Sequence, residues 1–347
     1  MVSRASPAVR HSVAANSFES EDTMIKIAIL DDYANVALRS ADWSILKGKA
    51  EISVFNRHLS HDEAVTALQP FDVLCTVRER MSLPRSLFER LPNLKLVTIV
   101  GMSLPNLDSA AATDHGVIIC HSNFANPIFA GIANATPELT WGLLIATVRH
   151  MSVEDRRMRS GGWQSTVGTI LAGRTLGLLG LGRIGKRMAT YGRAFDMNVI
   201  AWSQNLSDET AVSVGARRVT KDELFHLSDV LSIHVVLSDR TRGLVTAREL
   251  ALMKPTAHII NTSRGPIIDE AALLATLRER RIAGAGLDVF DLEPLPLDHP
   301  LRKMDNVVLT PHLGYVSVQN YRVYYPDIVA NIRNFIDGKP VKVITAR

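Results

Sequence analysis

At 347 residues, 46% of them hydrophobic, the chain is long enough for two domains and apolar enough to bury a core in each. Its formal charge of +4 is dispersed rather than gathered in a stripe, which argues against a nucleic-acid partner. The most apolar window, Leu139 to Val148, is short and flanked by Glu138 and Arg149, so no membrane association is expected.

Residues 1–23 carry Ser, Ala, Arg4 and Arg10 without an apolar core, and read as a disordered extension ahead of Met24. From there strand-like runs alternate with helix-like ones. Ile25 to Leu30, Ile52 to Phe55, Val73 to Cys75, Leu96 to Val100 and Val117 to Cys120 read as strands, and Ala34 to Leu46 as a helix. Ser60 followed by Glu63 is a capping-box signal for another helix. His58 and His61 beside it have no further ligands in sequence, so no metal is expected. Cys75 and Cys120 fall in apolar runs with no C-x-x-C pairing, which reads as buried free thiols in a reducing compartment, the cytoplasm.

A long helical stretch, Pro137 to Arg159, ends at Gly161-Gly162 and leads into a second alternation. Its strands are Thr175 to Leu179, Asn198 to Trp202, Val230 to Val235, His258 to Asn261, Gly284 to Val289 and Val307 to Thr310. Alternation of this kind predicts α/β architecture, with parallel sheets covered by helices on both faces. Six such strands make a doubly wound, Rossmann-type dinucleotide-binding unit. A last helix is expected over Gln319 to Ile336.

Gly180-Leu-Gly182-Arg-Ile-Gly185 is a weak signal alone. Here it follows an apolar strand and opens an apparent helix, the context a pyrophosphate-binding turn requires. Gly180 permits the turn, Gly182 admits the phosphates and Gly185 lets helix and strand pack closely. Where NAD-binding units usually place an acid against the adenosine ribose, this chain has Ser203-Gln204-Asn205. No carboxylate repels a 2′-phosphate and no adjacent cation attracts one, so the cofactor is NAD or NADP.

Three more residues each stand just beyond a strand: Arg264 in Asn-Thr-Ser-Arg-Gly, Glu293 in Phe-Asp-Leu-Glu-Pro, and His312 in Thr-Pro-His-Leu-Gly. Ligands of open parallel sheets sit at that end. A cation that forks a carboxylate, an imidazole that titrates near neutrality and a carboxylate to orient it suit 2-hydroxy acid chemistry. Each has a plain alternative: Arg264 as a cap, Glu293 as a solvated loop charge, His312 as a core histidine. Their occurrence together at three strand ends favours catalysis. His299 precedes the last strand and reads as a packing or capping residue.

These words, with Asp229-Val-Leu-Ser-Ile-His-Val-Val and Leu252-Met-Lys-Pro-Thr-Ala-His-Ile-Ile-Asn-Thr-Ser-Arg-Gly, resemble the D-2-hydroxyacid dehydrogenase family over nearly all of Met24 to Arg347. The resemblance implies that Arg264 binds the substrate carboxylate and carbonyl, His312 is the acid/base and Glu293 orients it. It places Asp288 against the nicotinamide amide and Arg183, Ile184, Ser203, Val235, Thr262 and Ser263 along the cofactor site. In the family a Gly-containing loop of the first domain holds the substrate carboxylate, matched here by Val100-Gly101-Met102. Arg78 and Arg80 could bind a second acidic group or be solvated loop charges. Tyr315 departs from the family, which often has a small residue there.

The resemblance also implies a smaller flavodoxin-like substrate domain, discontinuous in sequence, from 24–122 and 319–347, around a dinucleotide-binding domain of 123–318. The expected function is hydride transfer between NAD(P)(H) and a D-2-hydroxy acid or 2-keto acid. A nicotinamide-sensing corepressor on the same fold, or a formate- or phosphite-type dehydrogenase, are the alternatives. Because the family's counterpart of Pro137 to Arg159 makes a two-fold contact, a homodimer is expected.

Overall fold

Aliphatic and β-branched runs bounded by turn formers set the strands, and in this computed structural model they pair in parallel throughout, in two sheets. The structure describes residues 24–101, 106–122 and 133–344. The extension 1–23, Met102 and residues 123–132 lie outside the described residues. The described chain forms two compact units, one of residues up to 122 together with those from Tyr321 onward, the other of residues 133 to Asn320.

The first unit holds β1 (Ile25–Ile29), β2 (Ala50–Val54), β3 (Val73–Val77), β4 (Leu96–Val100) and β5 (Ile118–His121), in the order β2-β1-β3-β4-β5. β3 and β4 are buried along their whole length, as expected of central strands covered on both faces. Helix His61–Ala67 starts at the expected capping box, with Ser60 and Glu63 each bonded to the other's backbone. The helix expected over Ala34 to Leu46 is absent; only a 3-10 turn, Trp43–Leu46, forms there. Local side chains compete for that backbone. Asp32 accepts from the amides of Val36 and Ala37, Asn35 is left-handed at φ 51°, and Asp42 caps Ser44. The helix Val318–Ile336 buries Tyr325, Ile328 and Ile332, and the Asn331 amide donates to the His121 carbonyl at 3.2 Å.

The second unit holds β6 (Thr175–Leu179), β7 (Asn198–Trp202), β8 (Arg217–Arg218), β9 (Val230–Ile233), β10 (His258–Asn261), β11 (Gly284–Leu287) and β12 (Val307–Leu309). Their order is β12-β11-β10-β9-β6-β7-β8, seven strands where six were expected. The additional strand, β8, consists of two exposed arginines at the sheet edge, so it carries no apolar signal. Alternating residues point to opposite faces. Leu179, Leu231 and Ile259 enter one core with helices Lys221–Leu227, Ala247–Leu252 and Glu270–Arg278, while Leu178, Val230 and Ile260 enter another with Ala135–Val148 and Arg183–Ala194. Full burial of each such side chain contributes about 1.5–3 kcal/mol.

The expected single helix Pro137 to Arg159 is two, Ala135–Val148 and Met151–Arg159, broken where His150 turns left-handed at φ 53°. Ala135–Val148 packs closely on the sheet: a Cβ on Gly286 would lie 2.6 Å from Thr147 Oγ1. Among the described residues no helix is long and apolar enough to cross a membrane.

Candidate active site

The order of the second sheet reverses at β6, whose neighbours are β7 and β9, and the crevice for a ligand in such a sheet lies beyond the carboxyl ends at that point. The glycine motif occupies it. Gly180 has φ +100°, and a Cβ there would stand 2.7 Å from the His234 carbonyl oxygen beyond β9. A Cβ on Gly185 would fall 2.2 Å from the Gly180 carbonyl oxygen. At Gly182, by contrast, a Cβ would meet nothing within 4 Å. Gly182 is also the N-cap of helix Arg183–Ala194 and supplies no side-chain cap, so the first amides of that helix face an open approach. Such a cradle fits a dinucleotide pyrophosphate.

Around it, Arg183 is exposed, Ile184 and Val235 are half-buried against the two cores, and Ser203 is half-buried in the turn after β7. Thr262 and Ser263 follow β10. Their hydroxyls are engaged within the fold, Thr262 Oγ1 with Thr140 Oγ1 at 2.7 Å and Ser263 Oγ donating to the Ile233 carbonyl at 3.0 Å.

The other three candidates stand beyond β10, β11 and β12, which are neighbours in the sheet. His312 Nδ1 lies 2.6 Å from Glu293 Oε2. The other carboxylate oxygen of Glu293 accepts from the Phe290 amide at 2.9 Å, so both of its oxygens are committed. His312 is left-handed at φ 53°, and the Tyr315 ring meets the imidazole edge-on at 5.6 Å between centroids. With Nδ1 directed to Glu293, the imidazole leaves Nε2 for a proton exchanged with a ligand. Arg264 is extended, and its Nη1 donates to the Ser263 carbonyl at 2.6 Å. A Cβ on the next residue, Gly265, would stand 2.1 Å from the Phe290 carbonyl carbon, so the Arg264 turn packs directly on the loop that carries Glu293.

Asp288 is fully buried. Its Oδ1 accepts from Thr310 Oγ1 at 2.6 Å and the Leu313 amide at 2.7 Å, and its Oδ2 from the Gly314 amide at 2.9 Å. Burial pushes this carboxyl up from the usual range, opposed by those hydrogen bonds and by the nearby His312. Asn261, not singled out in the sequence, is also buried and ties down the Arg264 turn. A polar residue closing an otherwise apolar strand, Ile-Ile-Asn, was the available signal.

In the first unit, Val100 is buried at the end of β4 and Gly101 follows with φ 135°. Arg80 donates to the Asp31 carbonyl and the Tyr321 hydroxyl and lies over the Tyr33 ring, while Arg78 is left-handed at φ 58° and near Glu79. His58 pairs with Asp31 and His61 with Ser86. His299 does cap, accepting from the Leu301 amide.

Residues 141–314 match the model of the D-isomer specific 2-hydroxyacid dehydrogenase, NAD binding domain. The glyoxylate reductase of Aeropyrum pernix is 40% identical over 262 residues, 73% of this chain and 76% of that protein. The D-3-phosphoglycerate dehydrogenase of Methanocaldococcus jannaschii is 33% identical over 319 residues, 91% of this chain but 58% of that protein. The chain thus spans little more than half the length of the phosphoglycerate dehydrogenases it matches. A crystal structure of phosphoglycerate oxidoreductase from Vibrio cholerae superposes with a TM-score of 0.83 at 35% identity, covering 90% of this chain and 99% of that one. Motif, sheet order and relatives agree, and the chain belongs to the D-isomer specific 2-hydroxyacid dehydrogenase family, with a nicotinamide dinucleotide as cofactor.

Proposed function

We propose that the protein is an NAD(P)-dependent oxidoreductase that interconverts a D-2-hydroxy acid and its 2-keto acid, working chiefly as a keto-acid reductase. The observation that carries this reading is the 2.6 Å contact between His312 Nδ1 and Glu293 Oε2 beside the Arg264 turn. The cofactor, when bound, supplies or takes up the hydride at substrate C2. In reduction, His312 gives the proton on Nε2 to the carbonyl oxygen, which becomes the hydroxyl; in oxidation it takes that proton back. Glu293 holds Nδ1–H and so orients the imidazole with Nε2 toward the substrate. Arg264 forks the substrate carboxylate and polarises the adjacent carbonyl. Gly180, Gly182, Arg183, Ile184, Gly185, Ser203, Val235, Thr262, Ser263 and Asp288 form the cofactor side. On this reading the first unit is the substrate domain and the second the dinucleotide-binding domain.

The test is a panel of glyoxylate, hydroxypyruvate, pyruvate and phenylpyruvate with NADH and NADPH, on the intact protein and on His312→Ala and Arg264→Ala. His312→Ala is expected to lower kcat by at least about a hundredfold with little change in reduced-cofactor binding, and Arg264→Ala chiefly to raise KM. Cofactor binding without turnover on the panel, and on formate and phosphite, would support the corepressor reading instead.

The protein is also proposed to work as a homodimer in the cytoplasm. Trp163, Val167 and Ile170, which follow helix Met151–Arg159, are 73%, 90% and 71% exposed, an apolar face that a second copy would cover. Light scattering that returns a monomer mass at micromolar concentration would count against the dimer. The buried free thiols Cys75 and Cys120 suit a reducing compartment, and sedimentation with membranes on cell fractionation would exclude the cytoplasm.

A further inference from the structure

The side chains of Arg264 and His312 are set by the turns that carry them, and two buried polar residues tie those turns down. Asn261, the last residue of β10, donates from Nδ2 to the Arg264 carbonyl at 2.9 Å and accepts at Oδ1 from the Ser263 amide at 3.0 Å. Asp288, just past β11, receives the Thr310 hydroxyl and the Leu313 and Gly314 amides on its carboxylate, and the His312 amide on its carbonyl at 2.9 Å. The two braces are themselves joined, because the Asp288 amide donates to the Asn261 carbonyl at 2.9 Å. A continuous line of hydrogen bonds therefore runs from the Arg264 turn through Asn261 and Asp288 to the His312 turn. It crosses two strand gaps and involves no exposed group.

The His312 turn needs such a brace. A non-glycine residue at φ 53° is strained and persists only when its surroundings over-determine it. Donors from residues 310, 312, 313 and 314 all end on Asp288, so one residue fixes the backbone on either side of the imidazole. Gly314 is held from its other side as well, by Thr136 Oγ1 donating to its carbonyl at 2.9 Å. With a carboxylate's capacity of about four acceptor sites, three are already taken by the turn. One acceptor site remains for a cofactor amide, so bracing the turn and serving the cofactor are compatible in one carboxylate.

We infer that Asn261 and Asp288 are positioning residues that set Arg264 and His312 in mutual register, each acting through the turn it braces. The inference rests on the roles proposed above for Arg264 and His312. It has a signature that a general loss of packing would not produce: the two substitutions should separate in the kinetics as Arg264 and His312 do.

The experiment compares Asn261→Ala and Thr310→Val with Arg264→Ala and His312→Ala in the intact protein. KM and kcat are measured with the best keto acid, reduced-cofactor binding by nicotinamide fluorescence, and thermal midpoints by calorimetry. Asn261→Ala is expected to raise KM by about tenfold or more with kcat within about threefold. Thr310→Val removes one donor from the Asp288 brace and leaves its carboxylate in place, and is expected to lower kcat by about tenfold with KM and reduced-cofactor affinity within about threefold.

Loss of cofactor affinity in Thr310→Val that matches its loss of kcat would place the effect on the cofactor side and not on His312, and overturn the inference. So would lowered thermal midpoints with unchanged kinetics, which mark a merely structural role. Should either variant fail to fold, Thr310→Ala, which removes the same donor to Asp288, and Asn261→Asp, which removes the donor to Arg264, carry the same comparison. Wild-type kinetics in both would overturn the inference. If Arg264→Ala and His312→Ala show no KM against kcat split, the functional reading itself fails; if they do and the brace variants do not, only the positioning inference fails.

Discussion

Glu293→Gln is the sharpest probe of the acid/base pair, because it keeps the side-chain volume and removes the charge. Each Glu293 oxygen has one partner, the Phe290 amide on Oε1 and His312 Nδ1 on Oε2. Glutamine has a single acceptor oxygen and cannot serve both donors. If it keeps the Phe290 bond it presents N–H to Nδ1, which selects the wrong tautomer; if it keeps His312 it sets a donor against the Phe290 amide. At 2.6 Å the native contact lies at the short end of charge-assisted hydrogen bonds, which contribute about 1.5–3 kcal/mol. The two side chains are 32% and 19% exposed, so solvent screens part of this and the lower end applies, about 1.5 kcal/mol, or roughly tenfold in rate when the contact that orients the imidazole is lost. The assay is kcat for keto-acid reduction at saturating cofactor, in both proteins, with reduced-cofactor binding measured alongside. The variant's kcat is expected to fall by about tenfold while its cofactor affinity stays within about threefold. A kcat within about twofold of the intact protein's would refute Glu293 as the partner of His312.

Ser203→Asp should shift preference toward NAD by repelling a 2′-phosphate, from a starting protein in which NADPH is accepted within about tenfold of NADH, or ~1.4 kcal/mol. A starting preference beyond about a hundredfold for NADH, from competing-cofactor kinetics, would remove the premise. Gly185→Ala would place a Cβ 2.2 Å from the Gly180 carbonyl oxygen, so the phosphate turn must shift; dinucleotide affinity measured by fluorescence should fall at least about tenfold, and unchanged affinity would refute the close-packing argument. Burial alone would push the Glu249 carboxyl up, but hydrogen bonds from Thr246, Lys221 and Arg248 outweigh it and bring it down to about 2. Its stabilisation is then fully present above the unfolded carboxyl's range and lost as pH falls toward 2, roughly 3 kcal/mol in all. Glu249→Gln should destabilise the fold at neutral pH and flatten its acid dependence in urea titrations; unaltered stability at pH 7 would sink this. His258, lowered to about 4 by burial and by His150, acts in the same direction, since the unfolded chain takes up its proton first as pH falls.

Strand positions were legible where the signal is local. Leu96–Val100, Thr175–Leu179, Asn198–Trp202 and His258–Asn261 stand as expected, because fully buried parallel strands are continuous apolar runs. Failures came where tertiary or side-chain effects override the pattern. Asp32, Asn35 and Asp42 turned a helix-like run into turns, and His150 broke one helical stretch in two. β8 was invisible because an edge strand of two arginines has no apolar face. At the site, the turn and helix of the glycine motif were readable from spacing and context, and the structure brings His312 Nδ1 to 2.6 Å from Glu293 Oε2. What could not be read was how Asp288 and Asn261 are used. The Asp288 carboxylate is satisfied by donors from a turn 22 to 26 residues further on, and Asn261 by a turn that closes on it only in the folded chain, so neither use shows in the sequence.

The sheet order explains how residues so far apart in the chain become neighbours. β10, β11 and β12 lie side by side, and parallel strands are spaced about 4.8 Å apart, so the turns after β10 and β12 are separated by two spacings, about 10 Å. That gap is filled by the loop after β11, which supplies both Glu293 to the imidazole and the Phe290 backbone against Gly265. Relative placement of cation and imidazole is therefore a property of strand pairing, while their orientation is a property of the turns. A substitution within β11 should disturb both together, whereas one in a single turn should disturb one function alone. Gly286 lies in that central strand with Thr147 and Leu143 pressed against it, so the helix Ala135–Val148 fixes the strand on which the whole arrangement hangs. The same helix reaches the other end of the arrangement, since Thr140 bonds Thr262 after β10 and Thr136 bonds Gly314 after β12. A helix that touches all three strand ends or their turns gives the site a rigid backing, which is what preorganised charge needs if it is not to reorganise during the reaction.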